Sequence, residues 1–367
     1  MSNPFFRIEM LPAKHGDALW IEYGTADNVR RILIDGGPIN AWPEVSARLQ
    51  QLPVGDAGIE LVVISHVDTD HIEGLVRLMA EPFKRWLIKP EEIWFNGWRH
   101  IGEAKNLGGR EGEFLSALIV QRAPARWNKL FGGKAVCTGK LPGDLVELAD
   151  GMRLTLVSPN ATSLAALEKD WRASVKKWAI KPGDLDAAWA QLVDENKFHP
   201  DAELTLGPGD LTAELLSLLK GRDSGAANGS SIAFLAEFAG KSCLFLADAH
   251  AKVVCESLRN LGYTKDSPLK IDALKMAHHG SKNNLTPELL ELVDAKQYLF
   301  SSNGDKFGHP DSEAVEAVIL GSRRKPTLWF NYVSDRNVAW KAESLKPGGR
   351  FRTKYPAAGK SGIVVKL

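Results

Sequence analysis

The segment Leu61-Val-Val-Ile64, followed at once by Ser65-His-Val-Asp-Thr-Asp-His71, constrains this chain more than any other stretch. A continuous apolar run of this length reads as a strand covered on both faces. It delivers its C-terminal end directly into a turn dense with polar side chains. Apolar residues Ile72, Leu75, Val76 and Met79 then recur at helical spacing, so a strand, a polar turn and an amphipathic helix follow one another without a linker. Strand-to-helix alternation of this kind belongs to layered α/β architectures. Four side chains of metal-ligating type (His66, Asp68, Asp70 and His71) fall within that one turn. Imidazole nitrogens suit zinc, manganese and iron, and carboxylate oxygens suit harder cations.

The rest of the chain repeats the pattern. Phe5 to Met10, Ala18 to Tyr23 and Arg31 to Asp35 read as short strands, the last stopping at Gly36-Gly37. Pro43 to Leu52 reads as a helix. Further strands are expected at Ile93 to Phe95, Leu154 to Val157, Ile232 to Phe238, Ser242 to Ala247 and Gln297 to Ser301. From 163 to 222 the texture turns Ala-, Leu- and Lys-rich, which reads as a helical insertion. Ser163 is its expected N-cap, with breaks at Pro182-Gly183 and Pro208-Gly209.

Three more clusters stand at the ends of apparent strands, where open α/β layers place their ligands. Asp248 ends the run from Cys243 and is either a ligand or the cap of a helix over His250 to Leu258. His278 and His279 are either functional or a surface pair, and His309, in Phe307-Gly-His-Pro310, is either functional or a loop histidine.

Composition sets the outer limits. A length of 367 residues suffices for a large buried core, and 44% apolar with 25% charged residues is ordinary for a globular protein. The net charge of +1 gives no global field to recruit nucleic acid or membrane. Three cysteines without a CxxC pair argue against a disulfide framework. With no signal-type or spanning apolar segment, a cytoplasmic protein without membrane contact is expected.

The pattern His66-x-Asp68-x-Asp70-His71 resembles the signature of the metallo-β-lactamase superfamily, usually His-x-His-x-Asp-His, with aspartate in place of the second histidine. That replacement, with His278-His-Gly-Ser281 and Gly308-His-Pro310 downstream, is similar to the soluble hydrolase domain of bacterial competence proteins that take up DNA. The likeness extends to His15-Gly-Asp-Ala18, Ile34-Asp-Gly-Gly37 and Asn228-x-Ser-Ser231. It implies one αββα four-layer hydrolase domain over 1–367, interrupted by the helical segment.

By the same resemblance, His66, Asp68, Asp70 and His71 are metal ligands, Asp248 bridges two metals, His279 serves the second and Asp35 supports an imidazole from behind. Asp70 would orient an attacking water, and His278 and His309 would contact substrate or move a proton. The superfamily usually places another histidine ahead of the strand pair leading to the bridging aspartate; this chain has Asn228, Gly229, Ser230 and Ser231 there.

One or two divalent ions, Mn²⁺ or Zn²⁺, are the expected cofactors, with Mn²⁺ favoured by the extra oxygen donor. Three functions follow. The first is a phosphodiesterase or nuclease, with nucleic acid as substrate; Lys275, Lys282 and Arg323-Arg-Lys325 are then either phosphate contacts or solvated surface charges, and Trp94, Trp98 and Trp329 either stacking surfaces or core side chains. The second is a hydrolase of a small phosphate ester, cyclic nucleotide, lactone or thioester. The third is an assembly component docking a protein partner through Trp171, Trp178 and Trp189.

Overall fold

The computed structural model describes residues 3–52, 58–101, 110–176, 181, 183–194, 198, 225–345 and 348–367. Among the described residues, fourteen strands form two sheets. The first sheet begins with β1 (Phe5–Met10), β2 (Leu19–Thr25), β3 (Asn28–Ile34), β4 (Ile59–Val63) and β5 (Glu92–Trp94). The second contains β6 (Leu145–Glu147), β7 (Arg153–Ser158), β8 (Ala233–Phe238), β9 (Lys241–Phe245), β10 (Leu269–Lys275), β11 (Val293–Phe300), β12 (Thr327–Phe330) and β13 (Arg352–Lys354). The last strand, β14 (Ile363–Lys366), returns to the first sheet, whose order is β14-β1-β2-β3-β4-β5; the second runs β13 to β6 in reverse sequence order.

Alternation decides which face each strand buries. Phe6, Ile8 and Met10 of β1 point inward and pack with Ile21, Tyr23 and Ile32 against Leu154, Phe234, Cys243, Phe245 and Leu299 of the second sheet. The outer face of the first sheet is covered by α1 (Trp42–Leu49), α2 (Thr69–Ala80) and the helix Arg110–Arg122. Helices Ala251–Asn260, Pro287–Leu292 and Ser312–Gly321 cover the second. Four layers, αββα, result, as the resemblance implied. Ile72, Leu75, Val76 and Met79 all face the first sheet's outer core. The three cysteines are buried and free. No helix among the described residues is long and apolar enough to cross a membrane.

Within the segment expected to be inserted, helices Ala161–Lys176 and Leu185–Asp194 are described. They sink Leu164, Leu167, Trp171, Ala188 and Leu192 into the helical layer over the first sheet. Trp171 is therefore core and offers no docking face, Trp189 is half-buried under Arg122, and Trp178, Pro182 and Pro208-Gly209 lie outside the described residues. The helix starts at Ala161, and Asn160, in place of Ser163, caps it by accepting the Ser163 N–H at 2.9 Å.

Topology places the chemistry. Strands β3, β4 and β5 are mutually parallel, as are β9 to β13. All the ligand-type turns named above leave the C-terminal ends of these parallel runs, so both sheets aim them at one rim.

Glu92, at the start of β5, is 3% exposed; its Oε1 accepts Trp94 Nε1–H and Leu130 N–H, and Oε2 has no hydrogen-bond partner. Burial pushes its pKa up from 4.5 to about 7. A carboxyl whose folded pKa is raised stabilises the fold while it keeps its proton and loses that contribution as pH rises from the unfolded value through the folded one. Glu92→Gln is expected to gain about 2 kcal/mol on wild type between about pH 5 and pH 8, read as diverging urea midpoints.

Candidate metal centre

Backbone contact brings the turns together. Asp17 N–H donates to Asp70 O at 3.2 Å, Gly36 N–H to His71 O at 2.8 Å and Gly74 N–H to Gly37 O at 3.0 Å. Such approach requires bare backbone: a Cβ at Gly16 would lie 1.8 Å from Asp70 O, and one at Gly74 2.0 Å from Gly36 O. The start of α2 is thus held between two loops of the first sheet. Asp35, Ala247, His278 and His279 adopt φ between 45° and 60° without being glycine. Left-handed residues of this kind persist where the surroundings over-determine them, and here they line one site.

Four imidazoles share one orientation, and each is fixed by what holds its Nδ1. His71 Nδ1 lies 2.8 Å from Asp35 Oδ2, and His279 Nδ1 lies 3.2 Å from Asp17 Oδ1 and 3.2 Å from Ser301 Oγ. Ser65 Oγ donates to Asp35 Oδ2 at 2.7 Å, so it can only accept from His66 Nδ1 at 2.9 Å. Asn284 Nδ2 donates to Asp248 O at 3.0 Å, which turns Oδ1 toward His278 Nδ1 at 3.2 Å. Every Nδ1 is therefore anchored from behind, and every Nε2 faces inward. This is how metal-binding histidines are held.

Inward lie the carboxylates. Asp248 is reached by His71 Nε2 at 3.5 Å, His278 Nε2 at 3.6 Å and His66 Nε2 at 3.8 Å; Asp70 by His279 Nε2 at 3.3 Å and His71 Nε2 at 3.9 Å. Burial opposes the charge on Asp248, yet the facing His278, His71 and His279 hold its carboxyl well below the usual range. Burial likewise opposes charge on Asp70, and His279 and His71 bring it down. Asp17, against Lys275 and His279, is lowered in the same way. Both carboxylates facing the cluster call for positive charge beside them.

Whether these residues fit a metal ion is answered by their unmet valences. His66 Nε2, His71 Nε2, His279 Nε2 and Asp248 Oδ1 are all buried without a hydrogen-bond partner. Each orphaned buried acceptor costs about 1–3 kcal/mol, and a single bound cation removes several at once. Three overlapping sets have ligand atoms within 4.8 Å of one another: His66, His71 and Asp248; Asp70, His71 and His279; and Asp17, Asp248 and His279. Imidazole and carboxylate donors on one buried point fit a divalent ion.

Sequence-expected residues are distributed as follows. His66, Asp70, His71, Asp248 and His279 come together. Asp248 faces the cluster, and the helix after it is capped at His250 without a side-chain bond, so the cap alternative falls away. Asp68 stands at the margin: its side chain is 44% exposed, 3.6 Å from His66 Nε2 and outside the three sets. Asp35 lies behind His71 and, through Ser65, behind His66. His309 is a buried neighbour of the His278 ring, with 5.1 Å between centroids, and its Nδ1 is 3.5 Å from Asp311. Asn228 to Ser231 is scaffold: Ser231 Oγ accepts the Asp248 N–H, and His250 packs on Gly229.

Several expected substrate contacts are corrected. Lys275 is completely buried, its Nζ 2.7 Å from Asp17 Oδ2 and 3.0 Å from Met276 O. Lys282 pairs with Glu313, and Arg324 with Asp294. Trp94 and Trp98 are core side chains, and the half-buried Trp329 donates Nε1–H to Gln297. Sequence reasoning missed the roles of Asp17, Ser65, Asn284 and Ser301. It also missed His15, whose ring meets Phe307 edge-on at 5.5 Å and whose Nε2 is buried without a partner. Burial lowers the His15 pKa to about 4, so the ring is neutral.

No protein-family model matches the sequence, and no curated protein does. Solved structures give weak likenesses. The metallo-β-lactamase fold protein YhfI from Bacillus subtilis is 11% identical over 100% of both chains, with a TM-score of 0.41. Zn²⁺-bound PqqB from Methylobacterium extorquens is 11% identical over 96% of this chain and 87% of that one, with a TM-score of 0.39. A protein of unknown function from Enterococcus faecalis V583 is 10% identical over 97% and 71%, with a TM-score of 0.31. The two sheets and their flanking helices form a four-layer αββα sandwich, with the cluster of ligand-type residues at the ends of its parallel strands.

Proposed function

We propose that this protein is a metal-dependent hydrolase whose substrates are phosphodiesters. The observation that carries the reading is the overlap of the ligand sets: Asp248, His71 and His279 are each shared between two of them, so the centre is built for adjacent ions. Divalent ions there would supply Lewis acidity toward a phosphoryl group and a water acidic enough to attack near neutral pH.

The chain's own residues do the rest. Asp70, held ionised between His279 and His71, is an acceptor that orients the attacking water. His15, neutral and with an unmet Nε2, offers a hydrogen bond at the rim, beside Phe307. Lys306 lies 4.9 Å from the Phe307 ring, and exposed Arg336 closes on Gly304 and Gly308, which gives the entrance a cationic edge suited to phosphate oxygens. His309, next to His278, stands where a departing oxygen would need a proton. The resemblance to the hydrolase domain of competence proteins points to a polynucleotide as the first substrate to try.

Wild type and Asp70→Ala, each with added Mn²⁺ or Zn²⁺, are to be compared on single- and double-stranded DNA, RNA and bis-p-nitrophenyl phosphate. Turnover by wild type, lower by about 10²–10³-fold in Asp70→Ala, is expected. A metal-loaded wild type that cleaves no phosphodiester but opens a p-nitrophenyl thioester or a lactone would overturn the assignment.

A further inference from the structure

Among the described residues, Phe307 is the only exposed aromatic side chain, with 42% of its surface open to solvent. We propose that its ring is a stacking platform for the nucleobase next to the scissile phosphodiester, and so a residue that sets substrate specificity. The inference rests on the phosphodiesterase reading above and names what that site recognises besides phosphate.

A lone apolar side chain at a surface needs no explanation, so the surroundings of this one carry the argument. Three imidazoles stand around the ring. His15 meets it edge-on with 5.5 Å between centroids, His309 lies tilted at 6.3 Å, and His278 is 6.5 Å away. His278 Nε2 is in turn 3.6 Å from Asp248 Oδ2, so a single imidazole separates the ring from the candidate metal centre. His15 and His309 are buried, which leaves Phe307 as the planar apolar surface at the border of a polar site.

The ring also has a fixed place relative to that centre. At one end of its loop the Asn303 N–H donates to the carbonyl of Lys14, the residue before His15, at 2.9 Å. At the other end the Asp311 N–H donates to the carbonyl of Gly280, the residue after His279, at 3.0 Å. Between them the Gly308 N–H donates to Gly304 O at 3.2 Å, and Arg336 packs on both glycines. A ring on a free loop would give a substrate no register. This one is tied to the turns that carry His15 and His279.

The Lys306 ammonium lies over the ring, 4.9 Å from its centroid. That side chain is exposed, so a flat base can take its place and leave the ammonium to a phosphate oxygen. Every base has a π-face, so one aromatic ring serves all of them. A phosphate held at the centre and a base held at Phe307 together define a nucleotide; an aliphatic phosphodiester offers the ring nothing.

The test uses full-length protein with Mn²⁺ or Zn²⁺, a single-stranded oligothymidylate, and the same oligomer built of abasic residues. Steady-state kinetics are compared for wild type, Phe307→Ala, Phe307→Leu and Phe307→Trp, with far-UV circular dichroism to establish folding. Fluorescence anisotropy of the two labelled oligomers reads binding apart from turnover. Wild type is expected to prefer the base-bearing oligomer by about tenfold or more in kcat/KM, chiefly through KM. Phe307→Ala and Phe307→Leu should lose most of that preference, and Phe307→Trp should keep it. Equal treatment of the two oligomers by wild type would overturn the proposal. Full preference in Phe307→Leu would overturn it too, because the ring would then serve only as packing for His15. If wild type neither cleaves nor binds either oligomer and leaves bis-p-nitrophenyl phosphate intact, the phosphodiesterase reading fails and this one with it. If wild type cleaves both oligomers and folded Phe307→Ala cleaves them in the same ratio, only this one fails.

Discussion

Asp248→Asn is expected to strip the centre of metal and to lower kcat/KM on any phosphodiester that wild type cleaves by about 10³-fold or more, roughly 4 kcal/mol of transition-state stabilisation. Asp248 is the carboxylate on which both halves converge: His66, His71 and His278 face its two oxygens, and it belongs to two of the three ligand sets. The amide keeps the size and removes the charge, so the side chain fits while two of the three ligand sets lose an anionic donor. The fold should survive, since Ser231 and Asn284 hold Asp248 through its backbone N–H and C=O. Thermal unfolding with and without chelator gives a second readout. Chelator should lower the wild-type midpoint and leave the variant unmoved, because an ion stabilises only a protein that binds it. A variant that retains wild-type metal content would refute the bridging role.

Lys275→Met should destabilise the fold by about 3–5 kcal/mol, the usual cost of stranding one partner of a buried ion pair. Lys275 and Asp17 are both essentially without solvent contact, and they join β10 in the second sheet to the loop after β1 in the first. Methionine matches the aliphatic stem, but it leaves Asp17 charged without its ammonium partner, with the His279 imidazole still beside it. Removing that charge as well is the control: Asp17→Asn with Lys275→Met should recover a large part of the loss in urea unfolding, giving a coupling energy on the order of 2 kcal/mol. A single variant costing under about 1 kcal/mol would show that the pair contributes little.

What could be read from the sequence, and what could not, follows the range of the signals. Strand, turn and helix around His66 to His71 are contiguous, so period and polarity are visible in one window, and the four-layer arrangement follows from repeating such units. Asp248 was ambiguous between ligand and cap because both lie at a strand end; only the facing histidines decide it. Asp17 and Lys275 are 258 residues apart, and nothing in either neighbourhood names the other. Lys275 read as a surface phosphate contact because lysine is rarely buried, and only its partner makes the burial tolerable. His278 and His279 read from sequence as either functional or a surface pair, since the left-handed turn that aims both inward contains no glycine until Gly280. Tryptophans 94 and 98 carried the same ambiguity in the other direction: large apolar rings serve cores and stacking platforms alike.

The residues of the centre come from turns that are far apart in the chain, from His66 and Asp70 after one sheet's strands to Asp248 and His279 after the other's. During synthesis the His66 turn leaves the ribosome some two hundred residues before the His279 turn that completes it. A nascent or truncated chain ending before β10 therefore lacks His279, which two of the three ligand sets share, and the lysine that pairs with Asp17. Ordering is thereby enforced between folding and reactivity: the chain becomes chemically competent only after its two sheets have closed on each other. On the function proposed above, that delay would keep an unfinished copy from hydrolysing anything before the fold that positions its substrate exists.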